Sequence, residues 1–446
     1  VTLDPGAMGM FGPSGAGGWW PLWLWTASLV LVTGQETKLN FGHEMLSEFG
    51  LAKEYTNLNH GSYGATPLAV LERQQEMTRL TEANPDRFFR YEVYDLLAAA
   101  RRAMAEYVGA RVEDLVFVMN ASEGINAVLK SLLGLGRDAD HGSSKRVLCL
   151  DLAYGMVKEA LGFLQDTRGV AITEVSTDEL FPVAAAADFE SRLMAKVKSA
   201  LEEASAARRP IDVCIFSHIT SMPAVILPVE LLSKACRSYG AKSVIDGAHA
   251  LGNVPLDLAS IGADAYVSNG HKWFYSPKGT AFLWVSPRLQ GSTEPYTNGH
   301  IYPLITSNEG KGETPYTKLF SYEGTKDYSG WLAFPAAKAW RLKYGDAEII
   351  RYMHTLAMQG GQVLARAWGT QLLAPAELHA AMVNVELPTS NCTRAAELSH
   401  ELLTQFHTWV PTVEKSGKCW TRVSAQVYTE LSDFEYLAGA VLELLS

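Results

Sequence analysis

The chain has 446 residues, enough for a large domain plus a smaller one or an equivalent two-lobed unit, which excludes a single small core. Its 48% apolar and 19% charged content is typical of a globular protein and excludes a disordered or fibrous chain. The formal net charge of -10 argues against nucleic acid as a partner, because there is no basic surplus to displace counterions. We therefore expect an acidic protein that acts on small molecules.

Residues 1–37 differ from the rest of the chain. Residues 19–32 are strongly apolar, but a stretch of about fourteen residues is short for a membrane span and closer in size to a signal sequence. Lys38 is the first basic residue, so the positive start of a signal sequence is missing. We expect a poorly ordered extension without firm membrane association, and we keep a cleaved or anchoring segment as the alternative.

The five cysteines are scattered, form no CxxC pair and are odd in number: Cys149, Cys214, Cys236, Cys392 and Cys419. This pattern indicates a reducing compartment, with each cysteine a small buried hydrophobe. A cytoplasmic location is predicted, and the N-terminal apolar stretch keeps organellar or secretory targeting open. No metal site is predicted.

Between about residues 94 and 285, helix-period segments alternate with short apolar runs, which predicts a parallel sheet flanked by helices. A helix over 94–108 carries one apolar face and should end at Gly109. Loops are predicted at 136–140 and 291–314. The predicted strands are 115–119, 146–150, 171–175, 212–217, 242–245, 265–268 and 280–285.

After Pro335 the pattern changes to long helices, with strands predicted at 382–387 and 420–427 and a last helix near 432–445. The fold class is therefore α/β, with a mainly parallel seven-stranded sheet and a smaller α+β region. We predict a large domain over 38–330, which includes the N-terminal segment, and a small C-terminal domain over 331–446.

Three polar residues fall just after predicted strands. They are Asn120, His218 and Asp246. Because ligands of open α/β sheets gather at the carboxyl ends of the strands, these residues are expected to share one site.

A lysine and an aspartate give that site its chemistry. Lys272 lies in the run 267–274, and 26 residues upstream the apolar run 243–245 leads to Asp246. A Schiff-base lysine and an acid on the pyridine nitrogen are the two protein groups that pyridoxal phosphate most needs. A carboxylate about 3 Å from a pyridinium is worth roughly 5 kcal/mol at an effective dielectric of about 20, ample to keep the ring protonated. The pair therefore indicates a pyridoxal phosphate enzyme.

The segment 120–126 follows a strand and opens a helix, which is a possible phosphate site. Helix N-terminal amides carry free donors and a positive dipole end, and Ser122 adds a hydroxyl. An ordinary N-terminal helix cap is the alternative explanation for the residues of this segment. Glu123 is a poor neighbour for a phosphate unless its side chain points away.

Several motifs in order carry a resemblance to a known family. The run 246–249, Asp-Gly-Ala-His, followed by 268–273, Ser-Asn-Gly-His-Lys-Trp, resembles fold-type I pyridoxal phosphate enzymes of the class V aminotransferase family. The runs 59–64, 85–90, 153–158, 217–223 and 324–328 are similar to the isopenicillin N epimerase-like branch, above all its L-cysteine desulfhydrases and ergothioneine-pathway carbon–sulfur lyases. The resemblance covers about residues 40–446.

The resemblance implies a role for each matching residue. Lys272 would form the Schiff base and remove the α-proton, Asp246 would pair with the pyridine nitrogen, and His249 would support Asp246 or the ring. Tyr154 would stack on the ring and, with His60, is a candidate catalytic group.

Other matching residues are expected at the edges of the cofactor and substrate. His218 and Thr220 would lie near the phenolic oxygen. The phosphate contacts would come from Ala121, Ser122, Glu123, His271 and, from a second subunit, Thr325. Arg422 would grip the substrate carboxylate by a bidentate fork, with Arg90 and His60 as further substrate-side groups. Glu123 and Gly124 depart from the Thr-Thr or Thr-Gly of the family.

The implied reaction is β-elimination on cysteine or a cysteine S-conjugate, including a sulfoxide, giving a thiol or sulfide, pyruvate and ammonia. Epimerisation needs a second acid, which Tyr154 or His60 would provide, and transamination uses the same chemistry. Cysteine desulfuration needs a mobile nucleophilic cysteine, and the loops over 291–328 contain none. Cys392 and Cys419 are the alternatives for that role, although neither lies in a long predicted loop. Retention of Lys272, Asp246 and Arg422 argues against a non-catalytic scaffold. A homodimer with shared active sites is expected.

Overall fold

The computed structural model describes residues 40–134, 145–290, 301–307 and 310–446. The predictions for residues 1–37 and for the loop 136–140 lie outside the described residues, as does much of the loop 291–314. Among the described residues, no helix is long and apolar enough to cross a bilayer.

The strands form two sheets. A seven-stranded sheet contains β1 Leu115–Val118, β2 Arg146–Leu150, β3 Ala171–Val175, β4 Val213–Ser217, β5 Lys242–Asp246, β6 Ala265–Asn269 and β7 Ala281–Val285. A three-stranded sheet contains β8 Met382–Glu386, β9 Thr412–Lys415 and β10 Lys418–Ser424. The predicted strands in the large sheet agree with these bounds to within one residue. β9 was not predicted, and β10 ends three residues before the predicted end at 427.

Helices connect the strands of both sheets. They are α1 His60–Tyr63, α2 Leu68–Ala83, α3 Pro85–Arg87, α4 Val93–Tyr107, α5 Ala121–Leu133, α6 Gly155–Arg168, α7 Ala186–Ala206, α8 Val229–Ser238, α9 Leu258–Ile261, α10 Pro315–Ser321, α11 Ser329–Leu332, α12 Phe334–Tyr344, α13 Asp346–Trp368, α14 Cys392–Phe406 and α15 Leu431–Leu445.

The large sheet has the strand order β1-β7-β6-β5-β4-β2-β3. Its pairs are parallel except those of β7, which runs antiparallel to both β1 and β6. The α/β fold class and the mainly parallel sheet are therefore confirmed. Because both faces are covered, the strands are apolar runs rather than alternating ones.

The two faces of the large sheet pack against different helices. Side chains such as Val118 and Val267 pack with α5 and α6 in one core cluster. Their strand neighbours, such as Phe117 and Tyr266, pack with α4, α7, α8 and α12 on the opposite face. A further apolar cluster joins α13, α14 and α15 to the three-stranded sheet. The division of the chain near residue 330 stays a prediction.

The sheet topology decides where functional side chains meet. Ser217, Asp246 and Val267 are neighbours in register at the carboxyl ends of β4, β5 and β6. The N-terminus of α5 is tied to the same edge, because the Ala121 N–H donates to the Asn269 side chain at 2.8 Å. Residues far apart in sequence are thus collected at one edge, where open α/β sheets bind their ligands.

Candidate active site

A cavity of about 210 Å³ opens at this edge of the sheet. Eight residues predicted to belong to the site line it: Asn120, Ala121, Ser122, Tyr154, Asp246, His249, His271 and Lys272. The lining also includes residues that sequence reasoning did not assign to the site, among them Ser62, Tyr63, Ser217, Ser221 and Asn269. Ser62, Ser217 and Ser221 belong to motifs already singled out, and Asn269 is a polar residue at a strand end, which is the signal that would have found it.

The loop that carries Lys272 is fixed through its backbone. His60 Nε2 donates to the Lys272 carbonyl at 2.8 Å, and Arg341 donates to the Trp273 carbonyl at 2.7 Å. Arg341 is fully buried and also pairs with Asp346. Since buried donors hold two successive carbonyls, the direction of the Lys272 side chain is well defined.

The Lys272 amine lies beside His249, with 3.0 Å between Lys272 Nζ and His249 Nε2. Burial, and next the positive charge of Arg422, lower the pKa of Lys272 to about 7, whereas Asp246 acts in the opposite direction. An amine with such a pKa is substantially neutral at physiological pH. A neutral amine is nucleophilic and accepts protons, which a Schiff-base lysine requires.

Asp246 ends β5 as a buried carboxyl group. Its Oδ1 accepts a hydrogen bond from the Ala248 N–H at 3.0 Å. Burial raises the pKa of Asp246, while the Ala248 N–H and the charge of Lys272 act to lower it. Its other oxygen has no hydrogen-bond partner among the described residues. The side chain therefore offers a free acceptor to a cationic group in the cavity.

The N-terminus of α5 presents Ser122 to the cavity. The Glu123 N–H donates to the Asn120 side chain at 2.9 Å, which caps the helix. The Ser122 hydroxyl has no hydrogen-bond partner in the part of the chain that the structure describes. Glu123 Oε2 accepts from the Met119 N–H at 2.5 Å, and Glu123 does not line the cavity. Its carboxylate is thus turned back along its own chain, which removes the conflict expected with a phosphate.

Arg422 lies directly behind the cavity wall. Its guanidinium donates to the Ser221 carbonyl at 2.9 Å and to the Ser62 hydroxyl at 3.0 Å, and both serines line the cavity. A further bond reaches Asn59, and the buried Nε atom has no hydrogen-bond partner among the residues that the structure describes. Burial lowers the pKa of Arg422 to about 10, so it stays charged at pH 7. Contact with a substrate carboxylate remains a prediction and would require these serines to give way.

His60 does not line the cavity. It is buried, and besides its bond to the Lys272 carbonyl it receives the Tyr428 hydroxyl on Nδ1 at 2.7 Å. Burial lowers the pKa of His60 to about 3. Both ring nitrogens are engaged within the chain, and the catalytic or substrate-binding role of His60 stays a prediction.

Four other predicted residues also lie away from the lining. His218 contacts the Tyr266 hydroxyl at 2.7 Å, and the buried Thr220 hydroxyl donates to the Pro223 carbonyl at 2.5 Å. Thr325 is exposed, and Arg90 is exposed and paired with Asp86 at 2.9 Å. Within one chain, therefore, none of these four side chains reaches the cavity, and their predicted contacts stay predictions.

The donor and acceptor set fits pyridoxal phosphate. The cavity joins an amine of lowered pKa, a carboxylate with a free oxygen, an unpartnered hydroxyl at a helix N-terminus and a half-exposed tyrosine ring, Tyr154. These groups match an aldehyde, a pyridine nitrogen, a phosphate and a ring face respectively.

Comparison with known proteins agrees with this geometry. The family model for "Aminotransferase class-V" matches residues 61–405. A putative L-cysteine desulfhydrase 1 of Oryza sativa subsp. japonica is 32% identical over 93% of this chain and 87% of that protein. The hercynylcysteine sulfoxide lyase of Schizosaccharomyces pombe is 28% identical over 91% of this chain and 98% of that protein.

A solved structure shares the fold. The apo cysteine desulfurase from Thermococcus onnurineus NA1 superposes with a TM-score of 0.70 at 20% identity, covering 91% of this chain and 98% of the other. The match to the family model confirms the family resemblance found in the sequence motifs. The chain belongs to the class V aminotransferase family.

Proposed function

We propose that this protein is a pyridoxal 5′-phosphate-dependent carbon–sulfur lyase acting on cysteine or a cysteine S-conjugate. The observation that carries the proposal is the Lys272 amine of lowered pKa, which lines one cavity together with the Asp246 carboxylate. Support for the reaction class comes from relatives named as an L-cysteine desulfhydrase and as a hercynylcysteine sulfoxide lyase.

Each residue of the site has its own proposed role in binding the cofactor or the substrate. When bound, pyridoxal phosphate supplies the electron sink for the reaction. Lys272 attaches it and then accepts the α-proton of the substrate at Nζ. Asp246 holds the pyridine nitrogen, and Ser122 with the α5 N-terminus holds the phosphate. Tyr154 covers the ring, and Arg422 holds the carboxylate side of the substrate.

The reaction balances with water as the only co-reactant. Removal of the α-proton leaves an electron pair that forms the new carbon–carbon double bond, while the β-carbon–sulfur bond breaks and sulfur leaves with its electron pair. Hydrolysis of the remaining three-carbon fragment gives pyruvate and ammonia. For cysteine, the sum is cysteine plus water giving hydrogen sulfide, pyruvate and ammonia.

The cysteines favour elimination over persulfide transfer. Cys149, Cys214 and Cys236 are buried, and burial raises the pKa of Cys149 to about 11. Cys392 and Cys419 form a disulfide. None of the five lines the cavity. A desulfurase needs a thiolate that reaches the substrate sulfur, and this chain offers none there.

A homodimer with shared sites is part of the proposal. Tyr63 and Tyr154 both line the cavity and are 75% and 51% exposed, so two tyrosine rings are left uncovered at its opening. Thr325 is also exposed, as a residue serving the site of a second subunit must be. Covering this surface with a second copy would complete the phosphate contacts.

The test is product formation by purified, cofactor-loaded protein. L-cysteine, cystine, cysteine S-conjugates and hercynylcysteine sulfoxide are supplied in parallel, and pyruvate, ammonia and sulfide are measured. Sulfide and pyruvate from cysteine would identify a desulfhydrase. Pyruvate from a bulky conjugate alone would identify a lyase that releases a thiol from a thioether or a sulfenic acid from a sulfoxide. Loaded protein that yields no pyruvate from any of them would refute the lyase and direct attention to epimerisation or transamination.

A matched pair of lysine variants tests the site. Lys272→Ala should abolish the visible absorption band of the bound cofactor together with product formation. Lys278→Ala serves as the control, because Lys278 is an exposed neighbour outside the cavity lining. Loss of the band in both variants, or in neither, would contradict the assignment of Lys272.

A further inference from the structure

The hydrogen bonds of His249 fix where its proton sits. The Trp273 indole nitrogen lies 3.3 Å from His249 Nδ1, and Lys272 Nζ lies 3.0 Å from His249 Nε2. An indole N–H is a donor and has no acceptor function, so Nδ1 must be the acceptor of this bond. Nδ1 therefore carries no proton.

His249 is uncharged at neutral pH. It is 3% exposed, and burial lowers its pKa well below the usual value, with the positive charge of Arg422 acting in the same direction. A neutral imidazole has one proton. With Nδ1 excluded, that proton is on Nε2, the nitrogen that faces Lys272.

Two N–H groups that face each other cannot form a hydrogen bond. The Nε2–H of His249 needs an acceptor, and the lone pair of a neutral Lys272 amine provides one. In the other tautomer, Nε2 would be an acceptor and would favour the ammonium form of Lys272. The choice between the two tautomers rests on the Trp273 N–H.

We propose that Trp273 is a positioning residue: its indole N–H holds the His249 proton on Nε2, so that Lys272 faces a donor and keeps its lone pair. Trp273 acts through His249 and does not line the cavity. The consequence for covalent attachment of the cofactor rests on the proposed function, whereas the proton arrangement itself does not.

Other charged groups also face Lys272 and must be kept constant in a test. Asp246 at the end of β5 favours the charged lysine, and Arg422 on β10 disfavours it. His271 is the chain neighbour of Lys272, and burial lowers the pKa of His271 to about 4. Replacing Trp273 changes none of these side chains.

The first measurement uses the unmodified protein without cofactor. Nitrogen-15 NMR of protein labelled at histidine distinguishes the two tautomers, and the His249 signals are assigned by their loss in His249→Gln. We expect an unprotonated Nδ1 and a protonated Nε2 at pH 7. An Nδ1-protonated ring, or a ring protonated on both nitrogens, would overturn the proposal.

The second measurement is the pH dependence of Lys272 acylation in cofactor-free protein, followed by peptide mass spectrometry. Trp273→Phe fills most of the same space without a donor, and should raise the midpoint by about one pH unit, a tenfold slower reaction below the midpoint. Trp340→Phe is the matched control, because this buried tryptophan bonds Glu48 at 2.9 Å instead. Its midpoint should equal that of the wild type.

A double substitution separates the proton arrangement from simple packing. The His249→Gln protein has no imidazole ring and therefore no tautomer for Trp273 to fix. Adding Trp273→Phe to it should leave the midpoint of Lys272 acylation equal to that of His249→Gln alone. An unchanged midpoint in Trp273→Phe, or an equal shift in both backgrounds, would refute the proposal. Because neither experiment needs bound cofactor, their outcome is distinct from failure of the proposed lyase.

Discussion

At the scale of single residues, the negative charge of Asp246 is proposed to stabilise the protonated pyridine nitrogen of the cofactor. Replacement by asparagine preserves the side-chain shape and the acceptor for Ala248, but removes the negative charge. Since a carboxylate beside a pyridinium is worth roughly 5 kcal/mol, we expect roughly a thousandfold or greater loss of turnover in Asp246→Asn with the cofactor still bound. Steady-state kinetics and the absorption spectrum check this.

Asp264→Asn is the control for that experiment. Asp264 is also a buried aspartate, but it pairs with Arg288 at 3.0 Å and accepts from the Ser243 N–H, away from the cavity lining. Its replacement should affect stability more than turnover. Equal turnover in Asp246→Asn and the wild type would show that the charge has no catalytic role.

His60 connects two parts of the chain that are 212 residues apart by holding the Lys272 carbonyl. His60→Ala removes the donor to that carbonyl and the acceptor of the Tyr428 hydroxyl proton, although Asn57 still donates to the Tyr428 oxygen at 2.8 Å. A buried group left unpaired typically costs about 1–3 kcal/mol. We expect weaker cofactor binding and lower stability, with partial recovery in His60→Gln, whose amide donates at a similar reach. If His60→Gln loses turnover at unchanged stability and cofactor affinity, the catalytic role predicted from the sequence would be correct instead.

The lowered pKa of Lys272 should make the free energy of unfolding depend on pH. Its pKa is about 7 in the folded protein and near 10.5 in an unfolded chain, so the unfolded state binds an extra proton between these values. Stability of the cofactor-free protein therefore rises with pH across this window, by about 1.4 kcal/mol per unit from this group. Lys272→Met should lack that increment, and denaturant titrations at several pH values measure the difference. Identical pH dependence in both proteins would contradict the lowered pKa.

At the scale of secondary-structure elements, the Cys392–Cys419 disulfide joins the start of α14 to β10. Scattered cysteines had indicated free thiols, but these two have Cα atoms 5.3 Å apart. A bridge over a sequence separation of 27 should contribute about 3–4 kcal/mol. The cytoplasmic location stays a prediction, and the disulfide makes it worth testing.

Thiol titration tests the bridge directly. Protein denatured without reductant should present the three free cysteines, and all five after reduction. The double variant Cys392→Ser and Cys419→Ser should unfold at lower denaturant concentration, while Cys236→Ser, a buried free thiol, controls for the loss of sulfur. Five reactive thiols without reductant would rule the disulfide out.

At the scale of the whole molecule, shared active sites predict complementation between two inactive variants. Lys272→Ala removes the lysine, and Thr325→Glu places a negative charge where a phosphate contact is proposed. In a hybrid dimer, one site would take Lys272 from one chain and Thr325 from the other, both intact. Equal co-expression should restore about a quarter of the wild-type sites, since half of the dimers are hybrid. No recovery in verified hybrids would mean that Thr325 serves the site of its own chain.

The sequence by itself determined the elements and the chemical pair. The apolar runs predicted all seven strands of the large sheet, with bounds that agree to within one residue. They do so because β-strands depend on local pattern and burial. Lys272 and Asp246 were found for a similar reason, since a fixed order of short motifs specifies them. The family followed from those motifs, whereas the α/β fold class followed from the alternation of helix-period segments and short apolar runs.

Only the tertiary structure decided how the side chains pair. The antiparallel course of β7, the bond from His60 to the Lys272 carbonyl, the turned carboxylate of Glu123 and the Cys392–Cys419 bridge all depend on directions in space. Local sequence patterns specify an element and its buried face but not the partner that a buried polar group meets. That partner is chosen by packing, because each buried donor and acceptor must be satisfied by whatever the fold brings within reach.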